Sequence, residues 1–161
     1  MISIILLSII LLVLDQVSKL LVMNLLSEPI TIIKNFFYLT YVQNKGAAFS
    51  ILTGERLFLI VISIIIIILL LNYAKKNKPE TKLEYLSMSL IIGGSLGNLI
   101  DRIIRGSVID FLDFNIFGYD FPVFNLADTF ITIGVILLLI VINRKEKQNA
   151  NNRKWYRQKN R

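Results

Sequence analysis

The side chains of this 161-residue chain that could do chemistry include 11 acids. Histidine and cysteine are both absent. That removes thiol nucleophiles, disulfides, the usual zinc and haem ligands and every histidine-based triad. Any catalysis must rest on Asp, Glu, Ser, Thr, Tyr or Lys. Aspartates stand at 15, 101, 110, 113, 120 and 128. Two carboxylates at close range cannot both ionise, so such a pair shares a proton. One then acts as general base on water, while the protonated other hydrogen-bonds a scissile carbonyl. Asp128 opens an apolar run and could instead be only a helix N-cap. Spacing alone leaves its partner open among Asp110, Asp113 and Asp120.

Other polar groups interrupt apolar runs. Asp15 and Lys19 are spaced i,i+4, so on a helix they share a face and can pair. The competing idea, a Ser18–Lys19 nucleophile and base, has poor geometry, because adjacent helical residues point about 100° apart. Asn98, Asp101 and Arg102 stand at i, i+3 and i+4 and form one polar helical face. Asp101 and Arg102 either neutralise each other or leave Asn98 and Arg102 to hold a substrate backbone or lipid headgroup. The glycines at 93, 94 and 97 let another helix approach closely.

The elements that must position these residues are membrane spans. Hydrophobic residues make up 55% of the chain and its mean hydropathy is +0.65. A spanning helix needs roughly 20 mostly apolar residues. Four such stretches occur, at about 2–26, 57–74, 83–104 and 126–142. The first lacks a basic start and an A-x-A-like cleavage site, and reads as a retained span rather than a cleaved signal peptide. A single membrane domain over 1–143 and a basic tail over 144–161 account for the whole chain. An ionisable group within a span costs roughly 2.5–3.5 kcal/mol on insertion scales, so Asp15, Asp101 and Asp128 are functional candidates by default.

Basic residues set the orientation. The connector between the second and third spans has lysines at 75, 76, 78 and 82, and the tail carries eight basic residues from Arg144 to Arg161. The other side has Lys34, Lys45, Arg56, Arg102 and Arg105. Both termini are therefore expected in the cytoplasm, with the acids near the outer face. The tail reads as a topology anchor that also attracts anionic lipid; no nucleic-acid partner is expected. Residues 30–42 are rich in β-branched and aromatic side chains and predict a short strand or two, and Asn44-Lys45-Gly46 marks a turn. Residues 105–125 hold Phe111, Phe114, Phe117, Tyr119, Phe121 and Phe124, and are expected to lie as an aromatic loop at the membrane interface.

Taken together, five ordered blocks resemble the bacterial lipoprotein signal peptidase family, also called signal peptidase II. They are Asp15-Gln16-Val17-Ser18-Lys19, Asn44-Lys45-Gly46-Ala47-Ala48-Phe49-Ser50, Gly97-Asn98-Leu99-Ile100-Asp101-Arg102, Val108-Ile109-Asp110-Phe111 and Phe124-Asn125-Leu126-Ala127-Asp128. The resemblance implies an all-α membrane protein, a four-helix bundle with a small extracytoplasmic β-element. It implies an aspartic endopeptidase of the bacterial cytoplasmic membrane that cuts just before a diacylglyceryl-modified cysteine of prolipoproteins. By motif, Asp110 and Asp128 are the catalytic pair. Asn44, Gly46, Asn98, Arg102 and Asn125 match substrate-site positions, and Asp15, Lys19 and Asp101 match supporting ones. No metal or other cofactor is implied, and a monomer is expected. The Asp-Thr-Gly signature of soluble aspartic proteases is absent: Asp128 is followed by Thr129-Phe130. A small transporter and a non-catalytic subunit are the rival readings. Acids gathered at one face and the lack of repeat halves speak against the transporter.

Overall fold

The computed structural model describes residues 1–46 and 52–159, with side chains as far as Asn151. Ala47, Ala48, Phe49 and Ser50 of the second motif lie outside the described residues, as do the tail's last two positions. In chain order the elements are α1 (Ile2–Leu25), β1 (Ile30–Ile33), β2 (Phe37–Asn44), α2 (Arg56–Asn77), α3 (Lys82–Ile104), β3 (Val108–Ile116), β4 (Tyr119–Phe124) and α4 (Leu126–Lys159). All four helices are long and apolar enough to cross a membrane. Their positions agree with the four expected spans. The fourth helix continues past the expected 142, through the basic segment to Lys159.

Helix α3 is the centre of the bundle and packs against α1, α2 and α4. Of its most apolar stretch, 72% is buried, against 11–28% in the other three helices, whose outer faces are left for lipid. It is also the least hydropathic of the four, as a helix facing protein instead of acyl chains can be. Small residues allow this position, because close backbone approach is what packs helices together in lipid. A Cβ on Gly93 would stand 2.9 Å from the carbonyl oxygen of Ser8 in α1. One on Gly94 would run into the carbonyl oxygen of Ala127 in α4. At the other end of α3, Thr81 and Glu84 form a reciprocal capping box, satisfying two otherwise orphaned backbone donors. Glu84 also pairs with Lys145 of α4.

The strands form one antiparallel sheet in the order β1-β2-β3-β4. The strands expected over 30–42 are β1 and β2. The aromatic segment 105–125 is more regular than a loop: it supplies β3 and β4. Phe117 and Gly118 turn this hairpin, both at positive φ, the two-residue geometry whose twist suits flanking strands. Their signal was weak because Phe is unusual at such a φ. Pairing puts Val42 opposite Asp110, Leu112 opposite Phe124 and Phe114 opposite Phe121. Phe37 stacks on Phe114 at 4.5 Å, and Phe114 on Phe124 at 5.7 Å. Ile109 and Phe111 pack with Val22 of α1, seating the sheet on one end of the bundle.

The tightest demand falls on Gly97. Its Cβ would meet the buried carboxylate of Asp15 and would lie 3.3 Å from the Ala127 Cβ. Gly97→Val is expected to lower stability by about 1–3 kcal/mol, the usual cost of overpacking. Leu57→Ala, at an exposed position, should cost no more than about 0.5 kcal/mol. Unfolding of both variants in the same detergent checks this, and equal midpoints would contradict the packing argument.

Candidate active site

Lys19 organises the polar centre. Its Nζ lies 2.9 Å from Asp15 Oδ2, 2.8 Å from Asp101 Oδ2 and 3.0 Å from Asn98 Oδ1. An ammonium has three donors, and all three are engaged. The side chains of Lys19, Asp15 and Asp101 are fully buried. The expected Asp15–Lys19 pair is thus present. Ser18 gives its hydroxyl to the Asp15 carbonyl, and no Ser–Lys dyad forms. Asp101 pairs with Lys19 and Arg105, not with Arg102. Two cations and two carboxylates make this cluster neutral, as a buried charge set must be.

Each buried acid also holds backbone. Asp15 Oδ1 accepts from the Ala127 N–H in the first turn of α4, at 3.0 Å. Asp101 Oδ2 accepts from Ile109 N–H, at 3.3 Å. The charge cluster therefore fixes the start of the helix carrying Asp128 and the strand residue beside Asp110.

From Lys19 the orientation of the next groups follows. Lys19 has only donors, so it must face the carbonyl oxygen of Asn98. This turns the Asn98 amide N–H toward Asp128 Oδ1, at 2.7 Å. Asn98 Oδ1 also accepts from Asn125 Nδ2, at 3.2 Å, and Asn125 Nδ2 donates to Asp110 Oδ1 at 2.6 Å. Asn44 of β2 donates to Asp110 Oδ2, at 2.9 Å. Its own Oδ1 accepts from Gly46 N–H, at 2.9 Å, which holds the turn.

Asn125, not Asp128, caps α4. Asn125 Oδ1 accepts from the Asp128 N–H at 2.9 Å, and Asp128 Oδ2 accepts from the Asn125 N–H at 3.3 Å. Asp128 is thus the third helical residue of a reciprocal box, corrected from the simple N-cap considered above. Arg102 donates to the carbonyl oxygens of Gly46 and Asn98, at 3.0 and 3.3 Å. Its charge faces both Asp128 and Asp110.

Asp110 and Asp128 line the same cavity, of about 510 Å³, with Asn44, Asn98, Arg102, Phe124 and Ile133. Asp113 instead accepts from Thr40, and Asp120 from Asn115; neither lines the cavity. Burial, reinforced by the Asp128 charge, pushes the Asp110 carboxyl up to about 6. Arg102 is the one cation among the described lining residues, so one ionised carboxylate and one protonated carboxyl would leave that lining neutral. That is the proton inventory of an acid–base pair.

Sequence reasoning missed three positioning residues. Gln16 Nε2 bridges Asp15 and Asp101, and its Oε1 accepts from Arg105. Arg105 stands i,i+4 from Asp101, a signal that was available. Arg56 of α2 donates to the carbonyls of Arg102 and Ile103, at 2.7 and 2.9 Å. It covers orphan acceptors at the end of α3, and no local pattern announces it.

Known proteins resemble this chain in sequence and in fold. The family model described as signal peptidase (SPase) II matches residues 7–144. A lipoprotein signal peptidase of Halothermothrix orenii is 52% identical over 140 residues, 86% of this chain and 93% of that protein. One from Staphylococcus aureus is 41% identical over 151 residues, 89% and 93% of the two chains. A solved bacterial membrane enzyme, determined by the in meso method at 2.3 Å, superposes with a TM-score of 0.84 at 38% identity, covering 91% of this chain and 90% of its own. With four apolar helices and these relatives, the chain is a multi-pass bacterial membrane protein and belongs to the signal peptidase II family, the peptidases that remove signal peptides from prolipoproteins.

Proposed function

We propose that this chain is an aspartic endopeptidase that cuts prolipoproteins just before a diacylglyceryl-modified cysteine, with Asp110 and Asp128 as its catalytic pair. The observation that carries this reading is that both carboxylates line one cavity while Asn125 and Asn98 link them. The ionised member takes a proton from water, and the water oxygen attacks the scissile carbonyl carbon. The protonated member hydrogen-bonds the carbonyl oxygen as it gains charge. Collapse of the tetrahedral intermediate breaks the C–N bond as a proton passes to the leaving nitrogen. Arg102 offsets the negative charge that stays in the site. Asn44 and Gly46, at the end of β2, hold Asp110 and the substrate backbone. Asp15, Lys19 and Asp101 act by position only.

The peptidase unit is residues 1–143, acting as a monomer without metal or other cofactor, and 144–161 is a cytoplasmic tail. Both termini face the cytoplasm and the pair lies near the outer face, as the basic residues argue. A signal peptide is itself an apolar helix that presents its cleavage site there. Acyl chains on the cysteine can remain in lipid during the cut.

Incubating the purified chain with a diacylglyceryl-modified prolipoprotein, and weighing the product, tests the proposal. The wild type should release the signal peptide, and should leave the unlipidated substrate whole. Asp110→Asn and Asp128→Asn should each lower kcat by about 10³-fold or more while still folding. Robust solute flux in proteoliposomes without cleavage would favour a transporter instead.

The pH profile has a defined sign. A carboxyl raised to about 6 keeps the shared proton below that pH and loses it above. In kcat/KM, which reports the free enzyme, activity should decline as pH rises through about 6, and decline again in acid when both members are protonated. In kcat the alkaline limb should lie higher, because bound substrate excludes more water. A profile flat across the carboxylate range would contradict a shared proton. By the same linkage, Asp110 weakens the fold as pH rises from about 4 to about 6.

A further inference from the structure

Asp110 borders a second cavity, also of about 510 Å³, on its other side. Its lining is Val42, Gln43, Asn44, Lys45, Thr53, Asp110, Pro122 and Val123. The two cavities share Asn44, Asp110, Pro122 and Val123, so they adjoin at the acid. Their characters differ. The first is walled by Phe124 and by Ile131 and Ile133 of α4. The second takes nothing from any spanning helix among the described residues, and is lined instead by the end of β2, Lys45, Thr53, Asp110 of β3 and β4. Lys45 is the one cation among its described lining residues. It is exposed and makes no ion pair with any described residue.

A polypeptide cut at a bond held over the pair must extend in both directions. Its apolar side matches the first cavity. The chain that follows the modified cysteine goes on into water and matches the second. We propose that Lys45 is a specificity-determining residue, contacting the first residues after the modified cysteine and favouring acidic side chains there over basic ones. This rests on the peptidase reading above. Lys45 takes no part in the proposed chemistry, so its effect should appear in substrate choice.

Three diacylglyceryl-modified prolipoprotein substrates would differ only in the two residues after the cysteine: Glu-Glu, Ser-Ser or Lys-Lys. Each would be cleaved by wild type, Lys45→Gln and Lys45→Glu, with kcat/KM referred to the Ser-Ser substrate of the same chain. Exposed charge pairs change affinity by roughly twofold to fivefold. Wild type should therefore prefer Glu-Glu over Lys-Lys by about fivefold or more at low salt, and less at high salt. The ratio should fall to about one in Lys45→Gln and invert in Lys45→Glu. The internal reference removes any general loss from the substitution. If all three chains cleave with the same acid-to-base ratio, the inference is overturned and the peptidase reading stands. If the wild type cleaves none of the substrates, both are overturned.

Discussion

A single buried ammonium holds this molecule in register. Lys19 sits in the bundle interior, where an unpaired charge would be strongly destabilising. Its three donors find oxygens from Asp15, Asp101 and Asn98, so α1 and α3 can dock in only one axial position. The two acids pass that constraint on, one to the Ala127 N–H of α4 and the other to the Ile109 N–H of β3. The elements carrying Asp110 and Asp128 are thus referred to one point. In lipid, where apolar contact alone selects no register, such a polar lock can specify one.

The asparagines turn that lock into a directed field. Because Lys19 can only donate, Asn98 must accept from it, and so must donate toward Asp128. Asn125 donates to Asp110 by the same logic while capping α4 through its oxygen. Amide groups suit this role because they supply donors to a carboxylate without adding charge. A pair surrounded by more cations would ionise fully and lose the proton that the proposed chemistry needs. Among the described lining residues of the first cavity Arg102 is the one cation, and the side chains that donate to the pair are neutral amides.

Much of this was legible in the sequence where the signal is local. The spans follow from long, mainly apolar runs, and the Asp15–Lys19 pair from i,i+4 spacing. The choice between Asp110, Asp113 and Asp120 was not local. It depends on which strand residues face the start of α4, and came first from the motif resemblance. Spacing left Asp101 and Arg102 open to mutual pairing, yet adjacent helical side chains diverge, and Arg105 one turn on is the better partner. The hairpin was obscured because its strands show no clear polar alternation to set a period. Arg56 reaches α3 from a distant helix, and nothing in its neighbours foretells that.

The apolar part of α4 is held along its length. Asp15 grips its first turn, Gly94 and Gly134 let its apolar part lie against α3, and Lys145 meets Glu84 just past that part, well short of Lys159. A rod held at both ends of its apolar part resists sliding and swinging. The opposite wall of the first cavity is β4, which lies at the sheet edge and is paired on one side only. The two jaws of the cleft are therefore unequal: the one bearing Asp128 is an anvil, and adjustment to the width of an incoming chain falls to the edge strand.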